Sequence, residues 1–302
     1  MKRKRIVLLA ALVGFACLLG SLVLAGAAWV WLGAPLPGAL LQPDPTSRTL
    51  YQGVTYQRQA RQSPRPMLVH IVTIDLRQKG ISFLVTPGDP QAELPLEART
   101  TSQFLEEFDL QLAVNGDGFT PWHAANPLDY YPRAGDRVAP IGLAASRGVL
   151  YSRPGGQEPV LYISRTNQAR FNTPSGKIYN AISGNLMLVE RGKASPSLSG
   201  EPQPRTAIGL DRFGKRLFII VVDGRQPAYS EGATLAEMAE IFIKLGAYTA
   251  MNLDGGGSSA LVMQGANGGA SQLNSPIHSS IPGRERPVGN HLGIYARPAL
   301  KE

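Results

Sequence analysis

No charge interrupts the sequence from Ile6 to Gly33, and Lys2, Arg3, Lys4 and Arg5 stand directly before that run. This pattern most constrains the chain, because a segment so apolar either enters a membrane or is removed. A cleavable secretory leader carries roughly 7–15 apolar residues; a helix that spans a bilayer needs about 20. The run exceeds both minima and ends on Trp29 and Trp31, a residue type that favours the membrane interface. The expectation is a retained transmembrane helix over 1–33, with its cationic end in the cytoplasm and the rest of the chain extracytoplasmic. The alternative is a long leader cut near Ala25, Gly26 and Ala27, which would leave a secreted protein. Pro35, Pro37, Pro43 and Pro45 then mark residues 34–49 as an extended spacer.

The formal net charge of the 302 residues is +8, and four of those charges belong to the leader, which leaves +4 on the remainder. So mild a surplus suits a small anionic ligand and lacks the dense basic stripe of a nucleic-acid binder. Cys17, the only cysteine, lies inside the apolar run, so the rest of the chain forms no internal disulfide. No second proline-rich linker separates Leu50 from Ala296, and no repeat of 20–50 residues is evident. One domain over 50–298 follows.

Met67 to Leu76 and Ile81 to Thr86 read as strands joined by a Gln78-Lys79-Gly80 turn, a hairpin. Thr101 is placed to cap a short helix through Phe108. Thr206 to Leu210 and Leu217 to Val222 flank a turn and form a second expected hairpin. Thr234 with Glu237 has the capping-box spacing, and Leu235, Met238, Phe242 and Leu245 recur at helical period. Gly246 is suited to end that helix, and Tyr248 to Leu253 reads as a buried strand. Strands and helices thus both occur along the chain.

Three of the apolar strands end in polar loops, at Asn115 to Asp117, Asp223 to Arg225 and Asp254 to Ser259. Their convergence is the expected site. Three glycines in a row after Asp254 weaken the chain by conformational entropy, which a sequence tolerates where backbone must closely approach something. Successive N–H groups there can form a concave anion site, to which Ser258 and Ser259 add hydroxyls. The bland alternative is a flexible turn. Arg205, Arg225 and Arg286 match phosphate with paired donors, though a single arginine is more often a solvated charge. Asp117, Asp223, Glu231, Asp254 and Glu285 are candidates for acid–base work; for each except Asp254 a surface or capping role is equally compatible with the sequence. His70, His123, His278 and His291 show no metal-ligand spacing. No Gly-x-Ser-x-Gly elbow stands between a strand and a helix.

The chain resembles the phosphodiester glycosidase family from about Gly53 to Tyr295. The resemblance is carried by Asn115-Gly116, Pro204-Arg205-Thr206-Ala207-Ile208-Gly209, Asp223-Gly224-Arg225, Ser230, Gly232, Thr234-Leu235, Glu237, Asn252 through Ser259, and Glu285-Arg286-Pro287-Val288 with Asn290. It implies an α+β or mixed α/β fold, with a mixed β-sheet core and flanking helices. It also implies hydrolysis of the glycosidic bond in a sugar-1-phosphodiester within the cell envelope or outside the cell, with an exopolysaccharide or other envelope glycan among the substrates. Asp254, Asp223 and Glu231 are then the catalytic candidates. Asn115, Asp117, Arg205, Thr206, Arg225, Gly255, Gly256, Gly257, Ser258, Ser259 and Arg286 are the candidates for substrate binding. The resemblance implies no cofactor; the histidine spacing predicts no metal centre, and the sequence leaves room for a bound calcium or magnesium ion. Asp117 and Gly118 depart from the small or aromatic pair that commonly follows Asn-Gly in the family, so the substrate mouth is expected to differ. Two other classes stay open: a non-catalytic carbohydrate-binding or assembly protein, and a metal-dependent phosphodiesterase that cuts the P–O bond.

Overall fold

A computed structural model describes residues 47–153 and 156–299. The predicted anchor over 1–33 and nearly all of the spacer lie outside the described residues. No helix among the described residues is long and apolar enough to cross a membrane.

The fold is built on β-sheet, which corrects the expected mixed α/β architecture. An eight-stranded sheet runs in the order Arg48–Tyr51, Val54–Arg61, Met67–Asp75, Arg216–Val222, Arg205–Asp211, Ala247–Asn252, Leu186–Glu190, Lys193–Ala194. A five-stranded sheet follows the order Ala270–Gln272, Leu261–Gln264, Leu112–Asn115, His291–Tyr295, Ser82–Val85. A second five-stranded sheet contains Val149–Ser152, Ala144–Ser146, Asn180–Ser183, Val160–Ile163 and Ala169–Phe171. Neighbouring strands in all three are antiparallel. Antiparallel neighbours need no crossover helix. Accordingly only two α-helices occur among the described residues, Thr101–Glu107 and Leu235–Lys244.

Alternation along Arg216–Val222 shows how the layers form. Leu217, Ile219 and Val221 point to one face and join Phe83, Val85, Leu112, Val114, Leu292 and Ile294 of the five-stranded sheet in the largest core. Phe218, Ile220 and Val222 point to the other face, where Leu235, Met238, Ala239, Ile241 and Phe242 of the longer helix cover them. A strand buried on both faces reads as a continuous apolar run, so sequence period alone cannot show its layers. The shorter helix covers the far face of the five-stranded sheet through Phe104 and Leu105, against Leu84, Leu110, Ala113 and Val262.

The Thr234–Glu237 capping box forms as expected, and the hairpin Arg205–Asp211/Arg216–Val222 is present. Gly246 leaves the longer helix at φ +83°. The shorter helix is capped by Thr100, one residue before the predicted Thr101. The first predicted hairpin does not exist. Met67–Asp75 pairs with Val54–Arg61 and Arg216–Val222, whereas Ser82–Val85 joins the other sheet beside His291–Tyr295. The Gln78-Gly80 turn thus links two layers rather than two paired strands.

Candidate active site

Adjacent strand ends of the two sheets carry the candidate residues, and Asn115 ties them together. Its buried side chain accepts from the Thr206 hydroxyl at 2.8 Å and from the Ala260 N–H at 3.2 Å, and donates to the Asp254 carbonyl at 2.8 Å. The Asp254 N–H in turn donates to the Gly116 carbonyl at 3.0 Å. Thr206 and Asn115 therefore fix the start of the glycine run and do so from inside the protein.

Four N–H groups of the expected cradle are already engaged. The N–H groups of Gly255, Gly256, Ser258 and Ser259 are all taken within the protein, by the Asp254 carboxyl, Pro204 O, Gly255 O and Gly256 O respectively. At Gly256 and Gly257 the missing side chains leave room for guanidinium groups. A Cβ on Gly256 would come within 3.0 Å of an Arg225 terminal nitrogen, and one on Gly257 within 2.6 Å of an Arg286 terminal nitrogen. A Cβ on Gly255 would meet Pro204 O at 2.9 Å and the Arg205 side chain at 3.9 Å. Gly256 and Gly257 thus face the guanidinium groups of Arg225 and Arg286, while Gly255 packs on Pro204 and the aliphatic stem of Arg205. Gly256 also holds φ +60°, where a side chain is strained.

None of these arginines forms an ion pair with a carboxylate among the described residues. Each is aimed by neutral acceptors. Arg205 donates to the carbonyls of Ala233 at 3.1 Å and Glu201 at 3.0 Å. Arg225 donates to the Gln203 side-chain carbonyl at 2.6 Å. Arg286 donates to His278 Nδ1 and to the Ser258 hydroxyl, both at 3.3 Å, and lies 5.2 Å from the ring centre of Trp122. Burial, then the nearby Arg225 charge, lowers the Arg205 pKa. Burial lowers that of Arg286 as well, with Asp254 opposing and Arg225 reinforcing the shift. The row is a concentration of positive charge whose orientation consumes no negative charge.

Asp254 stands beside it, half-buried. Burial pushes its carboxyl above the ordinary range and Asp117 adds to the shift, while Ser258, Arg286 and the Gly255 N–H oppose it. Asp117 is buried and also raised, chiefly by desolvation. Its oxygens accept from Gly118 N–H at 2.8 Å, Gly142 N–H at 2.9 Å and the Ser183 hydroxyl at 2.5 Å. Asn290 accepts the Asp117 N–H at 2.7 Å, and a Cβ on Gly116 would come within 2.3 Å of that same Asn290 oxygen. The Asn-Gly-Asp sequence is therefore required by packing.

Asp223 is buried, and four donors occupy its carboxyl: His70 Nε2 at 3.0 Å, the Tyr229 hydroxyl at 2.9 Å, Asn274 Nδ2 at 3.0 Å and the Ser275 N–H at 2.9 Å. It fastens three segments behind the arginine row. Gly224 presses on Pro204, with a Cβ position 2.5 Å from its nitrogen. Glu231 is exposed, and only its backbone joins this network, accepting the Arg225 N–H at 3.4 Å. Ser258 and Ser259 are both buried; Ser258 contacts Arg286, and the Ser259 hydroxyl has no partner among the described residues. No cluster of three or more His, Cys, Asp or Glu side chains among the described residues is placed to hold a metal ion.

A family model described as phosphodiester glycosidase matches residues 108–295, more than half of the sequence. The chain belongs to that family. N-acetylglucosamine-1-phosphodiester alpha-N-acetylglucosaminidases of Bos taurus and Homo sapiens are each 46% identical to it over 61 residues, which is 20% of this chain and 11% of theirs. The matched part is thus a small share of those relatives' length. The zebrafish N-acetylglucosamine-1-phosphodiester alpha-N-acetylglucosaminidase catalytic domain, auto-inhibited by its pro-peptide, superposes with a TM-score of 0.57 at 19% identity, over 83% of this chain and 88% of that one. A hypothetical protein from Synechocystis superposes with a TM-score of 0.54 at 17% identity, over 81% and 62%. These two likenesses concern the fold.

Several site residues escaped the reading of the sequence. His278 is buried against Arg286, with the Tyr130 ring 4.7 Å away edge-on. Burial and the charges of Arg286 and Arg284 pull its pKa down to about 4, which keeps it a neutral acceptor for Arg286. Trp122, 56% exposed, roofs the same guanidinium. Their positions follow from loops that share no periodicity with the glycine run, so only their residue types were visible beforehand.

Proposed function

We propose that this chain hydrolyses the glycosidic bond of sugar-1-phosphodiesters, with the phosphate on the row formed by Arg205, Arg225 and Arg286 and the anomeric carbon beside Asp254. The observation that carries this reading is the facing of Gly256 and Gly257 by the Arg225 and Arg286 guanidinium groups, with the Arg205 stem beside Gly255 and all three arginines aimed by neutral acceptors. A phosphodiester enters with one negative charge. Water adds to the anomeric carbon, the C–O bond breaks with its electron pair passing to the phosphate oxygen, and a water proton is released. The phosphate then leaves as a monoester with up to two charges. Three arginines against one Asp254 carboxylate favour that developing second charge over the bound diester, which is how binding energy lowers a barrier. The leaving group then needs little help from a general acid. Asp254, with one oxygen anchored by the Gly255 N–H at 2.9 Å, acts on the positive charge that develops at the sugar. Asp117 and Asp223 position the surrounding loops.

The basic leader and apolar run support a place at the membrane with the domain extracytoplasmic, where envelope glycans are the available substrates. The test is product analysis with the full chain. Free sugar and a phosphomonoester should appear from a sugar-1-phosphodiester, and Asp254→Asn should abolish nearly all of it. A well-folded parent that turns over no member of a panel differing in sugar and aglycone would overturn the reading.

A further inference from the structure

The strand Arg205–Asp211 carries the arginine row at one end, and a second concave feature lies at the other. Six residue steps separate the ends, about 20 Å. There the hairpin turn Asp211 to Gly214 meets the edge strand Ala169–Phe171 and the start of Ala247–Asn252. Together they line a groove of about 630 Å³. Gly214, at φ +61°, brings the turn close to Ala169, whose carbonyl is 3.5 Å from where a Cβ would stand.

The groove has three rings, Phe171, Phe213 and Tyr248, and two arginines, Arg170 and Arg212. Phe213 is 75% exposed at the tip of the turn, so its ring is accessible to a ligand in the groove. Lys215 Nζ lies 5.6 Å from its ring centre, and the Arg212 guanidinium lies 5.7 Å from that of Tyr248. Asp211 is the only carboxylate in the lining. It is already committed, accepting from Arg216 Nε at 3.2 Å and the Lys215 N–H at 2.8 Å. Arg170 and Arg212 form no ion pair with a carboxylate among the described residues. A concave wall of rings with a few convergent charges is the chemistry of a ligand site. Flat rings suit the C–H faces of pyranoses, and free guanidinium forks suit carboxylates.

We infer that this groove is an accessory site for an acidic oligosaccharide, one bearing uronate carboxylates. It stands independently of the proposed hydrolysis. If that hydrolysis acts on a polymer, the groove holds the same chain about 20 Å from the cleavage point and raises the effective concentration there.

The test measures binding of oligogalacturonate to the full-length Asp254→Asn chain by calorimetry, with a neutral dextran oligomer, inorganic phosphate and phosphatidylglycerol vesicles as comparisons. Oligogalacturonate should bind, and Arg212→Ala and Arg170→Ala should each weaken it by about tenfold, the size of one charge-assisted contact. Phe213→Ser should weaken it as well. All three changes lie on exposed positions, and unaltered melting would confirm intact folding. Absence of binding, equal binding of dextran, binding of vesicles but not of oligogalacturonate, or affinity unmoved by all three variants would each overturn the proposal. Hydrolysis of a small sugar-1-phosphodiester by Arg212→Ala on an otherwise unaltered chain reads the other site, so failure of one claim leaves the other standing.

Discussion

Asp254 concentrates the conflict between stability and activity at this site. Burial lifts its pKa, so the folded protein binds that proton more tightly than the unfolded chain does. Stability then falls as pH rises through the folded-state pKa. Asp254→Asn removes the penalty, so its melting temperature should exceed the parent's at neutral pH and converge with it in acid below the ordinary carboxylate range. Catalysis should meanwhile drop by roughly 10²–10⁴-fold, the range for a positioned acid–base group. A variant that melts lower and keeps its rate would refute the assignment. The same raised pKa sets the acid limb of the rate profile, because the carboxylate form is the active one. Arg286 opposes the rise, so Arg286→Gln should move that limb to higher pH; a limb unmoved, or shifted down, would contradict the contact. Gly257→Ala places a Cβ 2.6 Å from an Arg286 nitrogen. Displacing the guanidinium by about an ångström should cost up to roughly 10²-fold in rate, with little change in melting. Melting curves read beside kinetics separate the two effects.

At the scale of elements, legibility followed how local the governing interaction is. The longer helix was readable because Thr234 and Glu237 cap it three residues apart, and the hairpin Arg205–Asp211/Arg216–Val222 because one turn sets its register. The pairing of Ser82–Val85 with His291–Tyr295 was not, since no local residue records a partner so distant in sequence. Strands such as His123–Ala124 and Tyr130–Tyr131 are too short to show alternation. Helix Leu235–Lys244 drew attention as a mark of mixed architecture, yet it merely covers one face of an antiparallel sheet. Thr234→Ala should lower stability by about 1 kcal/mol through loss of the cap. Equal stability in chemical denaturation would show that the cap is replaceable.

For the whole molecule, the sequence disclosed where chemistry gathers more readily than how it is arranged. Asn115, Arg205, Arg225 and Asp254 gather near the ends of neighbouring strands, and Arg286 joins them from a loop outside the three expected ones. The surroundings of Gly256 and Gly257 were hidden, because which side chains crowd a glycine depends on Arg225 and Arg286 arriving from other loops. A cytoplasm-dependent reporter fused after Glu302 should stay silent if the leader holds the domain outside; strong signal would reverse the topology. The central claim is cleavage at the anomeric carbon by groups around Asp254, and isotopic water tests it most directly. Hydrolysis of a sugar-1-phosphodiester by the full chain in ¹⁸O-labelled water should place the label in the released sugar and leave the phosphomonoester unlabelled. Label in the phosphate instead would show attack at phosphorus and contradict the account.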